Sequence, residues 1–499
     1  MNRKKKTTIN VITSFFHQIV LFVCGLITPR LILRAFGSSY NGVISSATQL
    51  LSMVSFLTLG VAGALRSELY HSLAANDYEE TSRTMKAANN YMRKVGLAVI
   101  VYAVILMIIF PYISTSDLSN VECAVIIGII SIDTFALYFF GTANYSLLVA
   151  DQKVYIKSLV AAGVTVLNTI AVALVIRGGG NIFAVKGTSA LVYAITPISI
   201  AIYVKNHYRL DTKCEPRKDA LKKKNDAAIH SVANIVHDNT DTLILTLFMD
   251  IKFVSVYTIY YAIVGKIKTL IKETGTGIEA ALGNMWAKNE RETLAKTFRT
   301  YEFGMSSFVV LVFSCIGVLL VPFIELYTAK VTDINYLRPD FALIITAAEA
   351  VFCIRQPYRS LVHVTGFFKE TKNAAIIEAV LNLTVSISLV KFLGLNGVAV
   401  GTLIANLYRT LSYSRFVSSQ ILRRDYGQVI KRILWTAVGM GISIAVASVT
   451  LNVVPVSGWI GWIIKGIIAF GISSVVVLMM AFLFYRRDLA ALIRYIKKR

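Results

Sequence analysis

Long apolar stretches recur along nearly the whole chain, and each is long enough to cross a membrane as a helix. A spanning helix needs roughly 20 apolar residues, and on that measure the chain predicts fourteen of them. The first seven lie near residues 11–33, 42–65, 95–114, 122–149, 158–176, 187–204 and 228–249. The second seven lie near residues 253–283, 301–326, 341–364, 373–390, 396–414, 433–453 and 458–485. The pattern predicts an all-α, polytopic membrane protein with about 14 transmembrane helices.

Two parts of the chain repeat each other at an offset of 214 residues. Val166-Leu167-Asn168 recurs as Val380-Leu381-Asn382, and Gly187-Thr188 recurs as Gly401-Thr402. One period holds six predicted helices, an even number, so both copies enter the membrane in the same orientation. Internal duplication of this parallel kind is typical of transporters whose substrate path lies between the two copies.

The repeat divides the chain into two parallel six-helix lobes and an appendage. Residues 1–210 are predicted to form the N-terminal lobe with helices 1 to 6, and residues 226–425 the C-terminal lobe with helices 7 to 12. Residues 426–499 hold helices 13 and 14, which have no counterpart, and a cytoplasmic tail.

Basic residues alternate between successive loops, as the positive-inside rule requires of a correct helix count. Both termini are then cytoplasmic, and the longest inner loop, residues 205–226, carries the run Lys222-Lys223-Lys224. The chain has 51 Lys and Arg, of which the outer loops hold only Arg34, Arg177, Lys186, Lys252, Lys330, Arg338 and Lys391.

Composition supports a membrane protein and argues against several other classes. Hydrophobic residues make up 56% of the chain, charged residues 16%, and the mean hydropathy is +0.63. The net charge of +23 comes from basic residues in short loops, where membrane orientation explains them. No nucleic-acid partner is therefore predicted. The N-terminal Arg3 to Lys6 runs into an apolar stretch without a cleavage signal, which predicts a first spanning helix. The five cysteines are scattered and show no metal-ligand spacing, and neither a metal site nor catalytic residues are predicted.

Cations inside the predicted spans are the first candidates for a functional site. Ionisable groups within a membrane are unfavourable and usually face a bundle interior or a water-filled cavity. The alternatives are snorkelling towards a membrane face and salt bridges with intramembrane acids such as Asp133, Asp238, Glu273, Glu349 and Glu378. The candidate substrate-binding residues, which would form an anion site, are Arg30, Lys268, Lys272, Arg355 and Arg359.

A polar stripe on predicted helix 7 supplies a second set of candidates. His230, Asn234, His237 and Asp241 fall within one arc of that helix. Such a stripe must face inward, because lipid offers its groups no partners. Its role is either hydrogen bonding between helices or ion coupling. The candidate ion-coupling residues are His237, Asp241, Glu273 and Glu279.

Several loose motifs in a fixed order resemble one family along nearly the whole chain. The sequence resembles the bacterial polysaccharide transporter family, the lipid-linked oligosaccharide flippases of the multidrug/oligosaccharidyl-lipid/polysaccharide exporter superfamily. The residues that carry the resemblance are Phe36-Gly37-x-x-Tyr40-x-Gly42, Asn239-Thr240-Asp241, Pro322-Phe323-Ile324-x-Leu326-Tyr327, Gly366-x-x-Lys369-x-Thr371-Lys372 and Gly394-x-x-Gly397-x-x-x-Gly401-Thr402.

The resemblance implies a flippase of the bacterial cytoplasmic membrane. Two six-helix lobes would form a V and carry a polyprenyl-pyrophosphate-linked oligosaccharide, such as an O-antigen, capsule or exopolysaccharide repeat unit, to the outer leaflet by alternating access. No cofactor is expected, apart from coupling to Na+ or H+. The expected partners are the lipid-linked anionic glycan, membrane lipids, and the glycan polymerase and glycosyltransferases of the same pathway.

Three alternatives remain open on the sequence alone. Two belong to the same superfamily, namely a flippase for a lipid-linked peptidoglycan precursor and a multidrug exporter. A multidrug exporter for cationic drugs usually needs an anionic interior, which the intramembrane charges do not favour. The third is an enzyme, a membrane glycan polymerase or glycosyltransferase, which would generally need a longer outer loop than residues 327–340.

Overall fold

The computed structural model describes residues 3–59, 61–211, 213–217, 225–454 and 457–497. Every named element in these ranges is a helix, which confirms the all-α prediction. One isolated backbone bridge, between Thr115 and Asp250, is the only extended pairing among them. The predicted run of Lys222 to Lys224 in the long inner loop lies outside the described residues.

The helices follow one another with short connections. The first are α1 (Arg3–Phe36), α2 (Ser38–Ser52), a 3₁₀ turn (Met53–Thr58), α3 (Val61–Ala74), α4 (Tyr78–Ile113), α5 (Asn120–Ala136), a π-helical turn (Leu137–Gly141), α6 (Thr142–Ala150), α7 (Val154–Arg177), α8 (Ile182–His207) and α9 (Asn225–Phe248). The others are α10 (Ile251–Ala287), α11 (Arg291–Thr328), α12 (Pro339–Ile354), α13 (Gln356–Thr365), α14 (Phe368–Leu393), α15 (Leu395–Phe416), a π-helical turn (Val417–Ile421), α16 (Gly427–Asn452), α17 (Gly458–Phe484) and α18 (Arg486–Lys497).

Each of the fourteen predicted spans coincides with helix in the structure. In the described residues, eleven helices are long and apolar enough to cross a membrane, or twelve if the bent pair from Ser38 to Ala74 is one span. The remaining two, α9 and α15, are helices with more polar sequences. The protein is therefore a multi-pass membrane protein.

The helix boundaries carry the same repeat as the sequence. Shifting α7 by 214 residues gives 368–391, and α14 begins at Phe368 and ends at Leu393. The π-helical turn of Leu137–Gly141, shifted in the same way, falls on residues 351–355, where α12 ends and α13 begins. Both copies thus interrupt their fourth helix at the same place. In the second copy the interruption precedes Pro357 of α13, as a proline near the start of a helix favours.

The described residues form two compact units, 1–258 and 259–499. The first unit has a core between α3, α4, α6 and the end of α8, built from side chains such as Leu65, Met92, Leu147 and Val204. In the second unit a smaller core joins α11, α16 and α17 through Phe303, Trp435 and Met480. The lobe boundaries drawn from the repeat, at residues 210, 226 and 425, stay a prediction.

One glycine distinguishes the packing of the two copies. A Cβ added to Gly401 in α15 would overlap the Ser386 hydroxyl and lie 2.9 Å from the Ser386 backbone nitrogen, whereas one at the equivalent Gly187 meets nothing within 4 Å. We expect Gly401→Ala to lower the free energy of unfolding by about 1–3 kcal/mol, because a well-packed contact would have to shift. Gly187→Ala is the matched control and should be neutral or stabilising, since alanine favours helix. Thermal unfolding in detergent measures both, and equal effects would contradict the packing difference.

Candidate anion-binding site

Charged side chains from four helices meet inside the second unit. We call Lys268, Glu349, Arg355, Glu378 and Arg409 the charge cluster. They come from α10, α12, the break between α12 and α13, α14 and α15. All five are buried, and the Glu378 carboxylate is 0% exposed. An apolar membrane interior tolerates such groups only when they are paired.

Glu378 is bonded to two arginines at once. The Arg355 guanidinium donates to one carboxylate oxygen at 2.5 Å, and the Arg409 guanidinium donates to the other. Arg409 also donates to the Tyr413 hydroxyl at 3.1 Å. Because Arg355 sits where α12 ends, the helix break places its side chain between α14 and its neighbours. Among the described side chains, one carboxylate thus holds two guanidiniums.

Lys268 forms the second pair of the cluster. Its ammonium group lies 3.2 Å from the Glu349 carboxylate and donates to the Tyr261 hydroxyl at the same distance. The ring of Phe352 lies between the two pairs, with the Lys268 nitrogen 4.2 Å and the Arg355 guanidinium 4.6 Å from its centroid. Cations over an aromatic face are attracted by its quadrupole, so Phe352 stabilises both charges without neutralising them.

Arg359 lies at the edge of the cluster and is only half-buried. It donates one long hydrogen bond, of 3.3 Å, to the Gln356 side chain. It forms no salt bridge with any described acid, although Glu279, Arg355 and Arg409 are within electrostatic range. Glu279 itself accepts a hydrogen bond of 2.8 Å from Ser360. With Arg359 and Glu279 included, the described side chains of the site comprise four cations and three carboxylates.

The structure brings three of the five predicted substrate-binding cations together. Lys268, Arg355 and Arg359 belong to the cluster or its edge, whereas Lys272, one turn beyond Lys268 on α10, is exposed. Arg30 is half-buried on α1 of the first unit. The role of all five in binding a substrate stays a prediction.

The predicted ion-coupling residues fall into two groups. Asp241 on α9 is buried and accepts a hydrogen bond of 2.9 Å from the Tyr257 hydroxyl on α10, and Glu279 lies beside Arg359. The side chains of His237 and Glu273 lie outside the described part of the chain. In that part, no group of His, Cys, Asp and Glu has the geometry to hold a metal ion.

Three members of the cluster, Glu349, Glu378 and Arg409, were not predicted as site residues. Arg409 is an intramembrane cation in the sequence, and Glu378 is a potential partner, but nothing in their spacing of 31 residues on different helices shows that they meet. Their equivalent positions in the first copy, residues 195 and 164, are Ile195 and Val164. Charges present in only one copy of a repeat are a signal that could have identified the pair.

Comparisons by sequence give no relative, while comparisons by structure give several. No protein-family model and no curated protein match the chain. The lipid II flippase MurJ in an inward closed conformation superposes with a TM-score of 0.70 at 17% identity, over 96% of this chain and 99% of that one. The chain has the fold of MurJ.

Other transporters match a smaller part of this chain. An inward-facing MATE family transporter of the MOP superfamily superposes with a TM-score of 0.58 at 16% identity, over 83% of this chain and 97% of its own. A MOP superfamily transporter from Pyrococcus furiosus, described as having a binding pocket of reversed polarity, gives a TM-score of 0.52 at 14% identity, over 85% of this chain and 98% of its own.

Proposed function

We propose that the protein is a MOP superfamily flippase that moves a polyprenyl-pyrophosphate-linked oligosaccharide from the inner to the outer leaflet of a bacterial cytoplasmic membrane. The observation that carries the proposal is the extent of the similarity to a lipid II flippase, which takes in nearly all of both chains. MATE transporters leave a larger part of this chain unmatched. A match over nearly the whole chain therefore favours a lipid-linked substrate over a small soluble drug.

The charge of the second unit agrees with an anionic substrate. A buried cation is unfavourable by about 2.5–3.5 kcal/mol on insertion scales, so an excess of cations calls for a compensating anion. A pyrophosphate diester supplies two negative charges and several acceptor oxygens, which suit the planar donors of arginine. Arg359, at the less buried edge and without a salt bridge to any acid whose side chain is described, is the residue that we assign to first contact with the pyrophosphate.

A flippase for a lipid-linked peptidoglycan precursor is the second candidate, and the similarity to MurJ favours it. Both candidates share the pyrophosphate and the polyprenyl chain and differ in the sugar. Depletion of the protein in its host separates them, because the lipid-linked intermediate that accumulates on the inner leaflet is either a repeat-unit glycan or the peptidoglycan precursor.

Binding of simple ions tests the charge argument against the multidrug alternative. We expect inorganic pyrophosphate to raise the thermal unfolding temperature of the purified protein in detergent, and tetraphenylphosphonium, a model cationic drug, to leave it unchanged. The reverse pattern would favour a multidrug exporter. If pyrophosphate no longer raises the unfolding temperature of Arg359→Ala, its binding site lies at the edge of the charge cluster.

The proposed orientation places both termini in the cytoplasm and can be tested with thiol labels. Cys214 follows α8 in the loop predicted to lie inside, and it is half-buried. In intact cells we expect an impermeant maleimide to label Ser116→Cys and Ser457→Cys, each in a cysteine-free background, because both residues lie in predicted outer loops. A variant that retains Cys214 alone should be labelled only after permeabilisation. Labelling of Cys214 in intact cells would contradict the orientation.

A further inference from the structure

A line of buried polar contacts joins α2 to the end of α9 and the start of α10 within the first unit. The Asn41 amide donates to the Ser255 hydroxyl at 2.7 Å, and the Ser46 and Thr246 hydroxyls lie 2.8 Å apart. These four residues are almost completely buried. We call them the outer seam, because the topology predicted from the sequence places this end of α2 at the outer membrane face.

The two residues of one contact occupy corresponding places in the repeat. Asn41 lies three residues after α2 begins at Ser38, and Ser255 lies four residues after its counterpart α10 begins at Ile251. When two copies are related by an axis along the membrane normal, corresponding places come into contact only close to that axis. The outer seam is thus the place where the two sequence copies meet on their axis.

The backbones approach closely at this place. A Cβ added to Gly42 would overlap the Ile251 carbonyl oxygen and lie 2.9 Å from its carbon. The loop after α4 adds two further contacts. The Ile251 amide donates to the Thr115 carbonyl at 2.9 Å, and the Lys252 ammonium lies 2.6 Å from the Asp117 carboxylate. Hydrogen bonding to Lys252 lowers the pKa of Asp117 below its ordinary value.

We infer that the outer seam is the outer gate of the transport path, closed in this structure and opened when substrate leaves towards the outer leaflet. The inference rests on the proposed transport function and adds the residues that separate. A path that follows the axis between two copies is blocked at whichever end the copies touch on that axis. Transport by alternating access therefore requires Asn41 and Ser46 to part from Ser255 and Thr246.

The chemistry of the seam suits reversible opening. Hydroxyl and amide groups exchange a protein partner for water with little net change in hydrogen bonding, and the outer face supplies that water when the seam parts. An apolar seam of the same extent would expose hydrophobic surface on each opening. Glycine at position 42 allows the close approach without a side chain that would hold the helices apart.

Two matched cysteine pairs test the gate. In a cysteine-free background, Ser46→Cys with Thr246→Cys replaces hydroxyls 2.8 Å apart across the seam. Ser14→Cys with Ser158→Cys replaces hydroxyls 3.3 Å apart between α1 and α7 of the same copy. We expect both pairs to form disulfides on oxidation. Transport should fall at least tenfold in the seam pair and recover on reduction, while the control pair keeps its activity.

A distance measurement tests the gate without any assumption about the substrate. Spin labels would replace the exposed Ser119, in the loop after α4, and the exposed Phe248, at the end of α9, which belong to different copies of the repeat. We expect two distance populations in the reduced protein, and only the shorter one after oxidation of the Ser46 and Thr246 cysteine pair. A single distance in both states, failure of that pair to form a disulfide, or normal transport when it is cross-linked would overturn the gate. Absence of glycan transport by the unmodified protein, with two distances still present, would instead count against the proposed substrate alone.

Discussion

Replacing Glu378 by alanine is expected to reduce the free energy of unfolding by about 3–5 kcal/mol, the usual effect of removing one partner from a buried ion pair. Glu378 is 0% exposed and is bonded to both Arg355 and Arg409. The substitution leaves these two guanidiniums in a low-dielectric interior without the carboxylate that neutralises them. Thermal and chemical unfolding in detergent, together with the amount of protein that reaches the membrane, measure the effect.

A surface pair in the same unit provides the control for Glu378. Glu292 and Lys296 also form a salt bridge, of 2.7 Å, but both side chains are largely exposed. Exposed pairs contribute little to stability, so Glu292→Ala should unfold like the unmodified protein. Glu378→Gln keeps the size of the side chain and one hydrogen-bond acceptor. Its free energy of unfolding should lie between those of Glu378→Ala and Glu292→Ala. If Glu378→Ala were as stable as Glu292→Ala, the charge cluster would not hold the second unit together.

Arg359→Ala is expected to reduce transport strongly while the protein accumulates normally. Arg359 has no acidic partner among the described residues, so its removal leaves no carboxylate stranded. A hydrogen bond to a charged group contributes about 1.5–3 kcal/mol, which corresponds to a roughly 10- to 100-fold loss of affinity for the pyrophosphate. Concentration-dependent transport in vesicles and binding of inorganic pyrophosphate measure the change.

Arg359→Lys separates charge from geometry at position 359, and Lys296→Ala is its control. Arg359→Lys keeps the charge but loses the planar pair of donors, so it should restore binding only in part. Lys296→Ala removes an exposed cation elsewhere in the second unit and should leave transport unchanged. Normal pyrophosphate binding in Arg359→Ala would remove this residue from the site and leave Arg30 and Lys272 as the remaining predicted cations outside the buried pairs.

Hydropathy predicts the positions of the spanning helices well, because burial in lipid requires long apolar runs. It does not predict their true ends. The predicted span at residues 95–114 lies in α4, which begins at Tyr78, and the predicted span at 301–326 lies in α11, which begins at Arg291. Polar turns continue these helices beyond the apolar part. The interruption at Leu137–Gly141 also leaves no hydropathy signal, since it rearranges backbone hydrogen bonds within an apolar sequence.

The functional site is less visible in the sequence than the fold. The spacing of four residues along a helix places Arg355 beside Arg359. The sequence also indicates that burying either charge within a membrane is unfavourable in free energy. It does not show that Glu378 reaches Arg355 and Arg409, because those contacts depend on the packing of α14 and α15. The outer seam is different. The repeat relates the start of α2 to the start of α10, but only the structure shows that Asn41 and Ser255 touch.

Transport of a lipid-linked glycan by the purified protein is the most direct test of the proposed function. Proteoliposomes would carry a fluorescent polyprenyl-pyrophosphate-linked oligosaccharide in both leaflets, with Arg359→Ala and empty liposomes as controls. A membrane-impermeant reagent that destroys the exposed label reports movement between leaflets. The account predicts that the unmodified protein makes the inner pool accessible, that Arg359→Ala does so much more slowly, and that a polyprenyl monophosphate glycan is a poor substrate. Equal rates for the unmodified protein and empty liposomes, with each lipid-linked glycan tested, would contradict it.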